Sequence, residues 1–158
     1  MIARHLENAA VEVRVLLTLP AEQLTGDAKS NFEILQKAKT PIIMSSVDWK
    51  TELSQADWIV DALLGTGTQG RLREPFLSVI SEINSAQKKV FAVDLPSGMD
   101  CDTGSSLGCC VRAHHTATFV ARKPGFDSPG ADQLTGKVHV IDIGIPRVLL
   151  ARFSPSAT

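Results

Sequence analysis

Two acidic residues close two apolar runs in this chain. Asp61 stands in Trp58-Ile59-Val60-Asp61-Ala62-Leu63-Leu64, and Asp94 in Val90-Phe91-Ala92-Val93-Asp94-Leu95. A carboxylate placed so can ligate a hard cation, move a proton or steady a developing positive charge. Each is followed by a glycine-bearing bend: Gly65-Thr66-Gly67-Thr68-Gln69-Gly70-Arg71 after the first, Pro96-Ser97-Gly98 after the second. Ser97 adds a hydroxyl. In open α/β sheets ligands sit beyond the carboxyl ends of the strands, so two acids, a hydroxyl and a glycine loop are expected to converge on one crevice. The bland alternative for Asp61, Asp94 and Ser97 is capping of a turn through backbone hydrogen bonds.

The loop Gly65–Gly70 also matches G-x-G-x-x-G, the dinucleotide fingerprint. In that fingerprint the helix starts inside the motif and aims its N–H groups at a pyrophosphate. Here Arg71, Leu72 and Arg73 intervene, and the next helix can hardly begin before Glu74-Pro75. Asp61 would oppose a pyrophosphate unless a cation lay between them. The glycines therefore read as an extended loop, and an NAD-dependent oxidoreductase ranks low. At least one of Arg71 and Arg73 is expected near ligand phosphates; the alternative is a solvated loop.

The elements that would position these groups can be read from periodicity. Short runs rich in β-branched residues occur at Val11–Leu17, Pro41–Met44, Trp58–Leu64, Val90–Leu95, Thr116–Ala121 and Val138–Ile143. Most are continuous rather than alternating, which favours strands buried on both faces of a parallel sheet. Pro75–Lys88 places Phe76, Leu77, Val79, Ile80 and Ile83 on one helical stripe, with Pro75 in the first turn. Glu22–Lys39 is a weaker helix, and Met1–Ala10 resembles the later part of an amphipathic one. Cys101–Arg112 and Gly125–Gly136 read as loops. The expected class is α/β: a three-layer α/β/α Rossmann-like sandwich with a mostly parallel sheet, as one domain over residues 1–146 with a tail at 147–158.

Composition excludes several partners. Sixteen basic and seventeen acidic residues leave a net charge of −1 over 158 residues, so no overall basic character points to nucleic acid or anionic lipid. No apolar run is long enough to span a bilayer, and Arg4, Glu7, Glu12 and Arg14 interrupt the N-terminal apolar stretch, so the chain reads as cytoplasmic with no membrane partner. Cys101, Cys109 and Cys110 make a poor disulfide framework and read as reduced thiols. His114-His115 and Cys109-Cys110 lack the spacing of a zinc site. Lys123 reads as surface, Asp100 and Asp102 as a solvated turn, and Trp49 and Trp58 as core or edge packing.

Taken together, VDALLGTGTQGRLREPF, VFAVDLPSGMDCDTG, ATFVARKPGF and HVIDIGIP resemble, in that order, the NAD(P)H-hydrate epimerases of the YjeF N-terminal domain family. Ala3-Arg4-His5-Leu6 is similar to the helix that follows the family's first glycine-rich loop. The resemblance implies a Rossmann-like sandwich and an isomerase that interconverts the R and S epimers of NADH and NADPH hydrated at C6 of the nicotinamide ring. A partner dehydratase that accepts the S form then restores the cofactor. By position, the resemblance implies that Asp61 and Ser97 hold a potassium ion and that Gly65, Thr66, Gly67, Thr68, Gln69, Gly70 and Arg71 line the hydrated dinucleotide. Asp94 would face its reacting end as the catalytic residue, handling a hydroxyl proton or steadying a cationic ring. The resemblance leaves room for a homodimer. The family's first motif, an Asn-Gly-Gly-Asp type loop that adds a cation ligand and much of the phosphate cradle, would precede Ala3. The chain is thus expected to be truncated at its front, and a degenerate, non-catalytic binding module stands as the alternative.

Overall fold

The computed structural model describes residues 1–44, 47–146 and 148–149; apart from 148 and 149, the expected tail at 147–158 lies outside the described residues. The chain forms two compact units, Met1–Glu52 and Leu53–Thr158.

The first unit opens with α1 (Ile2–Asn8). It stops where Ala10 takes a left-handed φ of 61° and Val11 N–H bonds back to the Leu6 carbonyl at 3.0 Å, a helix-ending turn usually made by glycine. Strand β1 (Val15–Leu16) pairs in parallel with β2 (Ile42–Ile43), Val15 opposite Ile42 and Leu16 opposite Ile43. Between them lie a 3-10 turn (Ala21–Gln23) and α2 (Gly26–Lys37). The weak helix expected at Glu22–Lys39 is thus real but shorter, split at Leu24-Thr25. Two contacts tie distant parts of this unit together: Thr40 Oγ1 donates to Glu7 Oε2 at 2.7 Å, and Arg14 pairs with Glu52 at 2.6 Å. Helix α3 (Trp49–Ser54), which periodicity did not announce, crosses the boundary between the units.

The second unit is built on a four-stranded parallel sheet in the order β3 (Trp58–Asp61), β4 (Lys89–Val93), β5 (His115–Phe119), β6 (Lys137–Ile141). Asp61 lies opposite Ala92 in the β3–β4 register. Of the central strands, β5 buries three consecutive residues, Thr116, Ala117 and Thr118, while β4 buries Val90 and Ala92 with Phe91 and Val93 half-buried; Ala92, Thr116 and Thr118 have no exposed surface. The outer strands are more open: Ile59 and Asp61 are buried while Trp58 and Val60 are 45% and 40% exposed, and Val140 and Ile141 of β6 are exposed too. Burial on both faces, expected from the continuous apolar runs, therefore fails at β3 and β6. Both are outer strands of this sheet among the described residues, and a position in the middle of a sheet is what lets a strand hide both faces.

Helix α4 (Phe76–Ser85) matches the stripe in the sequence and buries Val79, Ile80 and Ile83, each worth roughly 1.5–3 kcal/mol on burial. Pro75 is its N-cap, and Glu74 Oε2 accepts from Ser78 N–H and Oγ at 3.2 and 2.7 Å, covering an unpaired first-turn donor. Leu95, Met99, Cys110, Phe126 and Ala131 form a second core cluster. It lies under the segment Gly125–Gly136, which is a 3-10 turn (Pro124–Asp127) followed by α5 (Asp132–Thr135) rather than the irregular loop expected. Glycine and proline masked these single turns, which are too short to show a period. No described helix is long and apolar enough to cross a membrane.

Candidate functional site

Asp61 ends β3 and is 1% exposed. Three donors from two segments converge on its carboxylate. Ser97 N–H reaches Oδ2 at 2.8 Å, Ser97 Oγ–H reaches Oδ1 at 2.6 Å, and Leu63 N–H reaches Oδ1 at 3.3 Å. Burial pushes the Asp61 carboxyl up from the ordinary aspartate value, against the opposing pull of the Ser97 and Leu63 hydrogen bonds. No cationic side chain pairs with it among the described residues. Its charge reaches Cys110, whose thiol is pushed up to about 12 by burial first and by Asp61 second. Cys110 is accordingly an inert core thiol.

The turn that delivers Ser97 is held by its own hydrogen bonds. Met99 N–H bonds the Pro96 carbonyl at 3.0 Å, Val111 N–H the Ser97 carbonyl at 2.9 Å, and Leu107 N–H the Gly98 carbonyl at 2.8 Å. Gly98 has φ 92°, and a β-carbon there would run into the Cys109 carbonyl oxygen. Only glycine fits this close approach.

Asp94 follows β4 directly, at the same end of the sheet as Asp61, in a left-handed conformation with φ 71°. Such a backbone is costly for a residue other than glycine and is often found where a side chain must be aimed. Its Oδ1 receives Lys123 Nζ at 2.9 Å, Thr118 Oγ1 at 3.2 Å and Phe119 N–H at 3.3 Å. Oδ2 takes no hydrogen bond from a described residue. The ion pair is partly shielded, with Asp94 and Lys123 side chains 23% and 19% exposed. Lys123 also donates to the Phe119 carbonyl at 3.2 Å.

The loop Gly65–Arg71 leaves the same strand end. Its root is tied to the second turn, because Leu64 N–H donates to Ser97 Oγ at 3.0 Å. Its far end is held by Leu72 N–H on the Leu107 carbonyl at 3.0 Å. Between these anchors nothing lies within 4 Å of a β-carbon placed at Gly65, Gly67 or Gly70, and only Gly70 has positive φ. Neither packing nor backbone conformation calls for glycine at 65 and 67. A ligand lying close against the backbone would. Arg71 is exposed, with its side chain alongside Gly108.

A family model described as YjeF-related protein N-terminus matches residues 1–125. The chain belongs to this family. Similar members include an NAD(P)H-hydrate epimerase of Pirellula staleyi, 43% identical over 155 residues that span 95% of this chain and 68% of that protein. One of Rhodopirellula baltica is 41% identical over 97% of this chain and 63% of its own length. A bifunctional NAD(P)H-hydrate repair enzyme of Moorella thermoacetica is 41% identical over 96% of this chain, which spans 29% of that longer protein. The fold matches the crystal structure of the yeast protein YNL200c with a TM-score of 0.82 at 24% identity, over 98% of this chain and 64% of the yeast chain. The α/β sandwich with parallel strands expected from the sequence is therefore the fold of this YjeF-related chain.

Within this YjeF-related scaffold, Asp61 and Ser97 touch directly, while Asp94 bonds toward β5 and the segment after it, and no bond joins it to the Asp61–Ser97 cluster. Lys123 corrects the sequence reading: it is no isolated surface lysine but the ion-pair partner of Asp94. Its only sequence signal was position, four residues past the end of a strand that runs beside β4. Thr118, inside β5, was passed over because its partner Asp94 follows the neighbouring strand. Asp100 is confirmed as a turn residue: its Oδ1 accepts from Thr103 N–H, Thr103 Oγ1 and Asp102 N–H, and these bonds, Thr103's first, hold its carboxyl below the ordinary value. Among the described residues no group of three or more His, Cys, Asp or Glu side chains could hold a metal.

Proposed function

We propose that this chain catalyses the isomerisation for which its relatives are named, interconverting the R and S epimers of hydrated NADH and NADPH. The observation that carries the reading is the pairing of an aspartate having one free carboxylate oxygen, Asp94, with an open glycine loop rooted at the same sheet edge. Gly65, Thr66, Gly67, Thr68, Gln69, Gly70 and Arg71 would lie along the dinucleotide, with Arg71 near its phosphates.

Epimerisation at C6 needs the C6–O bond to break and reform on the opposite ring face. The lone pair of the ring nitrogen supplies the electrons, the departing oxygen takes a proton and leaves as water, and water returns with loss of that proton. Asp94 would carry the proton or hold the cationic ring between the two events. Both roles use Oδ2, because Lys123, Thr118 and Phe119 N–H occupy Oδ1. Lys123 is thus a positioning residue that fixes the carboxylate plane.

Potassium fits the Asp61–Ser97 cluster on charge and donor type. A buried carboxylate without a cationic partner is costly, and a carboxylate, a hydroxyl and neighbouring carbonyls are the oxygen donors that a hard cation takes. Asp61 and Ser97 would hold the ion, which would offset the buried charge and stiffen the turn carrying Ser97. Coupling to a dehydratase that consumes the S epimer, a cytoplasmic location and pairing of two copies belong to the same reading. The test is turnover of the purified chain with R-hydrated NADH and an S-specific dehydratase. Faster NADH recovery than with dehydratase alone is expected; no acceleration, with potassium present, refutes the proposal.

A further inference from the structure

The end of the sheet opposite Asp61 and Asp94 holds a cavity of about 290 Å³. It lies where α4 ends and β4 begins, beside the residues that lead into β5. Ile83 and Val90 give it apolar walls, and its polar lining is Asn84, Gln87, Lys88, Lys89, Arg112 and His114. No carboxylate lines it.

The hydrogen bonds sort these groups into spent and unspent. Asn84 is spent: Nδ2 donates to the Cys110 carbonyl at 2.9 Å and Oδ1 accepts Arg112 N–H at 2.9 Å, which fixes the backbone that carries Arg112. His114 Nδ1 accepts Val90 N–H at 3.1 Å, so a neutral ring carries its hydrogen on Nε2 and presents a donor. Lys89 lies 5.3 Å from the Trp58 ring centroid. Lys88 and Arg112 form no ion pair among the described residues. Two cations without an ion-pair partner among the described residues, a third nearby, and a histidine whose neutral ring offers Nε2–H therefore line one open recess, with Lys88 half-buried and Lys89, Arg112 and His114 exposed. Repulsion between such solvated cations is weak and screened, but an anion bound among them would gain from all of them at once.

We infer that this cavity binds a small phosphorylated anion, at a site distinct from the dinucleotide site proposed above. Phosphate matches the lining because it accepts hydrogen bonds from several directions and pairs with guanidinium in a planar, bidentate way. The volume stands at the lower end of small-molecule pockets, roughly 300–1,000 Å³, and suits a phosphomonoester better than a dinucleotide. The competing explanation is that the lysines only complement the carbonyl end of α4.

The test is a backbone-amide NMR titration with inorganic phosphate against sodium chloride of equal ionic strength. Saturable shifts are expected at residues 87–90 and 112–114. Lys88→Gln and Arg112→Gln, both conservative changes outside the core, should each weaken phosphate at these amides by about tenfold while leaving the rest of the spectrum unchanged. Absence of saturable shifts there, or unaltered affinity in both variants, overturns the inference in favour of simple helix-end compensation. Shifts confined to residues 65–71 overturn it too, and leave the epimerase reading standing.

Discussion

Potassium should raise the thermal stability of this chain, and it should do so through Asp61. The carboxyl is buried and its pKa is raised, chiefly by burial. The folded state therefore holds a proton on Asp61 more tightly than the unfolded state does. This contribution to stability is fully present below the unfolded aspartate value and is lost as pH rises through the folded one, because the buried charge must then be carried. A cation beside Asp61 offsets that loss, so the gain should be largest at neutral pH and fade in acid. Binding only to the folded state at ten times Kd contributes about 1.4 kcal/mol, and at a hundred times Kd about 2.7 kcal/mol. At roughly 2–4 °C per kcal/mol for a chain of this size, the first figure is a Tm increase of about 3–6 °C. Scanning fluorimetry in potassium, sodium and N-methylglucamine chlorides at matched ionic strength reads it directly. Asp61→Asn keeps the shape and removes the charge, and should abolish the potassium response. Equal Tm values in all three salts, or an undiminished response in Asp61→Asn, would refute the reasoning.

Other consequences are local. Lys123→Met should lower kcat about tenfold or more with little change in KM, and Lys123→Arg should recover part of it, if the pair orients the proposed catalytic Asp94 rather than binding the dinucleotide; steady-state kinetics separate the two constants. Gly98→Ala should destabilise the chain by at least about 2 kcal/mol in denaturant unfolding, since it joins a positive φ to a collision with the Cys109 carbonyl. Gly67→Ala meets open space and should stay within about 0.5 kcal/mol of the parent, yet weaken substrate binding. Cys110, with its thiol pushed up to about 12, should alkylate far more slowly than Cys109 in the native protein, and at a similar rate once unfolded.

The sheet edge was legible because its signals are local. Apolar runs ended by aspartate, and the spacing from glycine loop to Pro75, placed Asp61, Asp94 and the loop at strand ends without any knowledge of pairing. The approach of Asp61 and Ser97, 36 residues apart, was legible from their places after two strand ends, whereas a shared role as cation ligands came only from the family resemblance. Lys123 was misread because its partner lies on another strand, and strand order does not appear in a hydropathy pattern. The exposure of Trp58 and Val60 was missed for a related reason: a run of apolar residues looks the same in an outer strand as in a central one. The single turns at Pro124–Asp127 and Asp132–Thr135 are shorter than the period that would reveal them.

The most direct measurement is the rate at which R-hydrated NADH becomes usable by an S-specific dehydratase, with the parent chain and with Asp94→Asn, whose fold is checked by amide NMR. The parent should accelerate the conversion, and the variant should lose about two to four orders of magnitude, the usual range for a proton-handling side chain. Parent-like turnover by Asp94→Asn would contradict the account.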